Sequence, residues 1–156
     1  MGHIGFSYVG CLYLLMLFIP NMLWMRKLPK GYDASNENRI LLFCERVGQV
    51  LVTVCAIIFT DFNIKAFTPN TLWLLASCLC MLLYEGYWVR YFKSERRLED
   101  FYSSFCGVPL AGATLPVIAF FLLGVYGQVV YMMLSVLLLG IGHIGIHIQH
   151  KRELYK

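Results

Sequence analysis

An all-α, polytopic membrane protein is the fold class this sequence predicts, and three observations carry the prediction. Hydrophobic residues make up 59% of the chain and charged residues only 14%, against the about 25% charged residues of an ordinary soluble domain. The apolar residues gather into five long segments, approximately 4–25, 36–60, 71–92, 102–125 and 127–150, each near the roughly 20 residues that a helix needs to cross hydrocarbon. The basic residues fall almost entirely on one side of these segments. Uniform segments of this kind exclude a transmembrane barrel, whose strands run for about 10 residues and alternate in polarity. The five segments are read as a single transmembrane bundle over residues 1–156.

The distribution of Lys and Arg sets the orientation. Arg26, Lys27, Lys30, Arg39 and Arg46 follow the first segment, Arg90, Lys93, Arg96 and Arg97 follow the third, and Lys151, Arg152 and Lys156 close the chain. Lys65 is the exception among the 13. Cytoplasmic loops carry the excess of Lys and Arg, so the N-terminus is expected outside and the C-terminus in the cytoplasm of a multi-pass cell-membrane protein. Short basic clusters beside membrane helices also attract anionic headgroups, which makes the cytoplasmic leaflet the expected partner. The net charge of +4 is spread over these clusters and forms no continuous basic surface, so nucleic acid is not expected as a ligand.

The first segment has no basic stretch before it and ends Pro20-Asn21-Met22-Leu23-Trp24, so it is expected to remain as a helix and not to be removed as a secretory signal. Phe6 stands where N-myristoylation requires Ser or Thr, which argues against lipidation. The following connection holds Pro29-Lys30-Gly31 and then Asp33-Ala34-Ser35-Asn36-Glu37. This reads as a turn followed by a helix start, with Ser35 or Asn36 as N-cap and Glu37 in the first turn.

Thr68-Pro69-Asn70-Thr71 and Tyr126-Gly127-Gln128 mark tight external turns, which predicts that the second helix packs beside the third and the fourth beside the fifth. The fourth segment contains Gly107, Pro109, Gly112 and Pro116. A bent helix is expected there, with Pro109 and Pro116 on one face and Gly107 and Ala111 as a close-packing pair. No internal repeat is found. Gly-His-Ile-Gly occurs at 2–5 and at 142–145, on opposite membrane faces in this topology.

Polar and ionisable residues inside the apolar segments are the candidates for function. Glu45, Arg46 and Gln49 lie in the first part of the second segment, where an unpaired ionised side chain costs roughly 3 kcal/mol or more. Glu45 and Gln49 share a helix face, whereas Arg46 is turned about 100° away and can reach the headgroups. Glu85 sits among the interfacial aromatics Tyr84, Tyr87, Trp88 and Tyr91, with Arg90 poorly spaced to pair with it on the same helix. A partner on another helix, Arg46 or a histidine, is expected. His143, His147 and His150 fall on one face of the fifth segment. Such a row can serve as a proton relay with Glu45 or Glu85, as an interfacial anchor, or as a metal site. The metal motif is incomplete, because Ile144 stands where a metalloprotease helix has its glutamate. The six cysteines show no C-x-x-C spacing, and no cofactor is expected.

Asn21, Glu45, Gln49, Glu85, His143 and His147 all fall toward the cytoplasmic half of their helices, which predicts a polar pocket open to that side. Three functions fit such a pocket. It can bind or translocate a small substrate or a proton, as a homo-oligomer or with a partner membrane subunit, since five helices contain no inverted repeat. It can belong to a membrane-embedded enzyme acting on a lipid at the cytoplasmic leaflet, with Glu45 or Glu85 as acid or base. Or its polar groups hold helices together in a non-catalytic accessory or assembly protein. The topology has a direct check: a reporter fused after Lys156 is expected to read cytoplasmic and a tag before Met1 external. A cytoplasmic N-terminus would mean that one segment does not cross, the charged second one being the first suspect.

Overall fold

The computed structural model describes residues 2–155. Six helices follow one another: α1 (Tyr8–Met25), α2 (Arg39–Ile58), α3 (Thr71–Lys93), α4 (Leu98–Phe101), α5 (Ala111–Gly127) and α6 (Val130–Leu154), with a 3-10 turn over Thr60–Phe62. Among the described residues, extended pairing is limited to two isolated bridges, Ile4 with Phe59 and Phe105 with Val108. The chain is all-helical, and α1, α2, α3 and α6 are each long and apolar enough to cross a membrane. Their outer faces fit that environment: Leu12, Leu15 and Phe18 on α1, Leu75, Leu79 and Leu82 on α3, and Leu134, Leu137 and Ile141 on α6 are exposed.

The most extensive packing in the bundle joins α2 to α6, and glycine makes it possible. A methyl group at Gly142 would lie 2.3 Å from the Glu45 backbone nitrogen, and one at Gly48 would lie 2.5 Å from the Leu139 Cα. Two helix backbones meet here with no side chain between them, the arrangement by which small residues drive helix association in lipid. Along this seam Glu37, Glu45 and Gly48 face His150, His143 and Leu139 in turn, so the two helices run antiparallel. On the other side of α6 lies α5, and beyond it α3. Ser77 of α3 donates to the Ala119 carbonyl of α5 at 2.7 Å, and Gly112 leaves room for the Tyr87 ring.

Helix α1 closes the bundle at a slant. Near its start, Gly10 abuts the Ala56 carbonyl of α2, where an added methyl would lie only 1.8 Å from the oxygen. At its other end the contacts are with α3 and α4: Asn21 Nδ2 donates to the Tyr84 hydroxyl at 2.7 Å, and Trp24 stacks on Phe101 with centroids 4.7 Å apart.

Several sequence expectations change. The fourth segment does not become helix at 102. Phe105 and Val108 exchange both backbone hydrogen bonds around Cys106 and Gly107, each with positive φ, so a primed hairpin turn occupies this stretch. Pro109 disfavours helix at the residue before it, Leu110 is left-handed at φ 48°, and α5 begins only at Ala111. Gly107 and Pro109 therefore lie outside the helix, and Pro116 is the one proline within it. With 17 residues, α5 extends about 25 Å, less than the about 30 Å of a hydrocarbon core. The cap of α2 is Asn38, whose side chain accepts from the Ile40 and Leu41 amides, and neither Ser35 nor Asn36. Ser35 is held in a turn by Asp33, and Glu37 stays ahead of the helix, where its carboxylate meets His150. The main neighbour of α2 is α6 and not α3, because the glycines select it. The packing of α5 beside α6 is as expected from the short turn between them.

The 57–65 connection is latched to the N-terminal segment. Gly5 and Ser7 amides donate to the Ile58 and Ile57 carbonyls at 2.8 and 2.9 Å, and the Thr60 amide donates to the His3 carbonyl at 3.0 Å. Asp61, 5% exposed, receives the His3 backbone amide, the His3 ring at 2.8 Å and Lys65 Nζ at 3.4 Å. Burial pushes its carboxyl up, but the hydrogen bonds from His3 and Lys65 outweigh burial and hold it below the ordinary carboxylate range. A depressed folded-state value contributes stability that is present above the unfolded value, about 3.9, and is lost as pH falls through the folded one. The expected outcome is that melting temperatures of wild type and Asp61→Asn differ by a constant amount near neutrality and converge in acid. A difference that persists unchanged at low pH would rule out the ionised latch.

Candidate functional site

The histidine row and its carboxylates come together on the α2–α6 seam. His143 Nδ1 lies 2.5 Å from Glu45 Oε1, and His150 Nε2 lies 3.0 Å from Glu37 Oε1. Each imidazole donates to a carboxylate, which fixes the proton on the nitrogen facing that carboxylate and leaves the other nitrogen free. In His150 that second nitrogen faces Glu153 Oε2 at 3.9 Å. The pairs are well sheltered, with side chains 15% exposed at Glu45, 24% at His143, 12% at Glu37 and 8% at His150. An ionised group inside such a helix pair is tolerated when it is partnered, and Glu45 has its partner in His143.

His147 stands between the two pairs and has no carboxylate of its own. Its ring lies 4.6 Å from that of His143 and 5.5 and 5.6 Å from those of Phe101 and Tyr102. Tyr102 in turn stacks on His150 at 5.9 Å. A continuous series of contacting side chains thus runs from Glu45 to Glu37, and His143 lies about 10 Å deeper along α6 than His150. His150 lines a cleft of about 310 Å³ with Tyr32, Asp33, Asn36, Tyr102 and Glu153. Burial, then the negative charges of Glu37 and Glu45, raise the Tyr32 phenol above its usual range, so it remains a hydrogen-bond donor. Gln149 fastens the same mouth by donating to the Asn36 carbonyl at 2.7 Å and accepting from the Asn38 amide at 3.1 Å.

The remaining expected site residues lie elsewhere. Arg46 and Gln49 are exposed on the outer face of α2, so Gln49 does not join Glu45 although the two share a helical stripe. Asn21 bonds Tyr84 and the Leu17 carbonyl between α1 and α3. Glu85 pairs with neither Arg46 nor a histidine, and its buried Oε1 has no hydrogen-bond partner. Arg90 turns away from it and stitches the connection before α5, donating to the Ser104 carbonyl at 2.9 Å and to Ser103. His143 and His150 each face a separate carboxylate, and among the described residues no three His, Cys, Asp or Glu side chains converge as metal ligands.

Glu37, Tyr32 and Tyr102 belong to the site and were not read from the sequence. One signal for Glu37 was present: Glu37 and Glu45 are spaced nearly as far apart on one segment as His150 and His143 are on another, so antiparallel helices bring both pairs into register together. No protein-family model matches the chain, and neither a curated protein nor a solved structure does.

The pairing has a quantitative consequence. Double-mutant cycles on thermal or denaturant stability, with alanine at Glu45 and His143 or at Glu37 and His150, are expected to give coupling energies of about 1–3 kcal/mol. The crossed cycle of Glu45 with His150 is expected near zero. Equal coupling in all three would show that the carboxylates act as a diffuse charge and not as two specific pairs.

Proposed function

We propose that this chain is a five-span protein of the cell membrane, N-terminus outside and C-terminus cytoplasmic, whose inner half holds a proton-exchanging pocket for binding or moving a small substrate or a proton. The fifth crossing is α5, enclosed between α3 and α6 and lengthened at its start by the Phe105–Val108 hairpin. The observation that carries the functional reading is the Glu45–His143 pair at the deep end of a histidine row whose shallow end, His150, lines a cleft. Buried carboxylate and histidine chains inside membrane bundles mark proton pathways. Imidazole suits the task because small changes in its surroundings move its titration across physiological pH.

In this reading Glu45 and His143 share one proton, and because His147 and Tyr102 meet their neighbours only through ring contacts, its passage past them to the His150–Glu37 pair and the cytoplasmic side requires bridging water. Among the described residues no ionisable series continues toward the Lys65 end, where the interior is lined by Leu74, Leu115, Ala119, Phe120 and Val136 with Ser77 and Ser135 as isolated polar groups. The row is therefore a half-path, and transfer across the membrane requires a rearrangement of the bundle, a second copy of the chain or a partner subunit. The anionic headgroups of the cytoplasmic leaflet hold the basic end in place.

A second reading has its own support. The two carboxylate–histidine pairs lie on the same helix seam as the glycine contacts, which suits an accessory protein in which they serve only to lock α2 on α6. Reconstitution into liposomes separates the two. With an imposed membrane potential and a pH dye inside, wild-type protein is expected to raise proton entry above protein-free vesicles, with pH dependence in the histidine range, and Glu45→Gln is expected to abolish it without unfolding the protein. Proton entry equal to that of empty vesicles would leave the locking role.

A further inference from the structure

A second cleft at the basic end, of about 630 Å³, lies between the α1–α2 and α3–α4 connections. Lys27 and Lys30 line it from one side and Arg96 and Arg97 from the other, together with Glu95 and Glu99. The arginines are partly engaged within the protein: Arg97 pairs with Glu95, and Arg96 donates to the Phe92 carbonyl at the end of α3 at 3.3 Å. Lys27 and Lys30, by contrast, have no carboxylate within ion-pair distance among the described residues. Four cations against two carboxylates leave the cleft positive, with two ammonium groups free.

The rest of the lining is apolar. Leu28, Leu98 and Leu154 contribute to its walls, and Leu28 is 50% exposed. The level in the bundle is equally specific. Lys27 lies just past the end of α1 at Met25, Arg96 just past the end of α3 at Lys93, and Leu154 is the last residue of α6. The cleft therefore opens beside the ends of three helices long and apolar enough to cross a membrane, with the charged last turn of α6 at the same level, a placement that suits the phosphate and glycerol region of a bilayer. Basic pockets at this depth bind lipid headgroups, and a volume of this size falls within the roughly 300–1,000 Å³ of ordinary ligand sites.

We propose that this cleft is a discrete binding site for the phosphate headgroup of an anionic phospholipid. Lys27 and Lys30 meet the phosphate oxygens, Arg96 adds positive charge from the opposite wall, and Leu28, Leu98 and Leu154 receive the glycerol and first methylenes of the acyl chains. The apolar wall is what distinguishes a lipid from free phosphate, which would gain nothing from it. The inference rests on the chain's being a membrane protein and is independent of proton handling by the histidine row.

The test is calorimetric titration of full-length, delipidated protein in a neutral detergent with three probes: short-chain phosphatidylglycerol, phosphatidylcholine of equal chain length, and inorganic phosphate. Two double variants are compared, Lys27→Gln/Lys30→Gln in the cleft and Lys151→Gln/Arg152→Gln at the same end outside it. The expected result is saturable binding of phosphatidylglycerol at one site, weakened by roughly tenfold or more in the cleft variant, since each lysine near an anionic surface contributes several-fold. The outer variant, carrying the same loss of charge, is expected to bind as wild type does. Equal weakening in both variants would reduce the effect to diffuse surface attraction and overturn the site. Inorganic phosphate binding as tightly as phosphatidylglycerol would overturn the lipid assignment, as would an absence of saturable binding by wild type.

Discussion

Backbone contact between α2 and α6 is the constraint on which the rest of the structure depends. Lipid offers no hydrophobic drive to bring two apolar helices together, so association rests on close packing and on interhelical hydrogen bonds. Gly48 and Gly142 supply the first, and the Glu45–His143 and Glu37–His150 pairs supply the second. Neither works without the other. A side chain at Gly142 would collide with the backbone of Glu45 itself, and separation of the helices would leave a carboxylate in the apolar half of the bundle without its partner, at a cost of roughly 3 kcal/mol or more.

The basic end is organised differently, by aromatic rings. Tyr84, Tyr87, Trp88 and Tyr91 of α3 are all buried, and the ring of Phe101 from α4 packs among Trp24, Trp88, Tyr91, Tyr102 and His147. The Tyr87 hydroxyl donates to the Phe101 carbonyl at 2.6 Å, which fixes α4 on α3, and Arg90 holds the turn that follows. Those contacts place Phe101 and Tyr102 against the histidine row, so the surroundings of His147 are set from α3 and α4 although the residue belongs to α6. The opposite end carries its polar groups in a backbone latch, with Asp61 buried beneath His3 and Lys65. Ionisable pairs are thus concentrated at the two ends and along a single seam, while the polar groups between other helices, such as Ser77 and Asn21, are uncharged.

The chemistry along that seam follows from the order of its partners. A histidine donating to a carboxylate has one nitrogen fixed and one free, and the free nitrogen is the one that can receive or pass a proton. Two such histidines bracket a third with none, a graded series in which the ends are anchored electrostatically and the middle is held only by packing. The same antiparallel register that aligns the pairs also brings Gln149 onto the backbone of Asn36 and Asn38, which closes the α1–α2 connection over the shallow end.

Composition and the lengths of the apolar segments determined the helical class, the presence of helices long and apolar enough to cross a membrane, and the clustering of cations along the chain, because each follows from the length and charge of segments read singly. Glu45, His143, His147 and His150 were recognisable as candidates for a related reason: an ionisable residue in an apolar helix is conspicuous wherever its partner lies. The partner itself was decided by tertiary structure. Glu45 and Gln49 share a stripe, yet only Glu45 meets the bundle, since the glycines rotate α2 so that Gln49 faces out. Glu85 is as conspicuous in the sequence as Glu45 and meets no cation. Cys106-Gly107 reads as apolar helix by composition and folds as a hairpin turn, because Pro109 and the packing of Phe105 on Gly86 outweigh local hydrophobicity. Segment character is a property of neighbours along the chain, whereas pairing depends on which helices can approach closely enough to touch, and that was set by a few small residues whose partners lie about a hundred positions away.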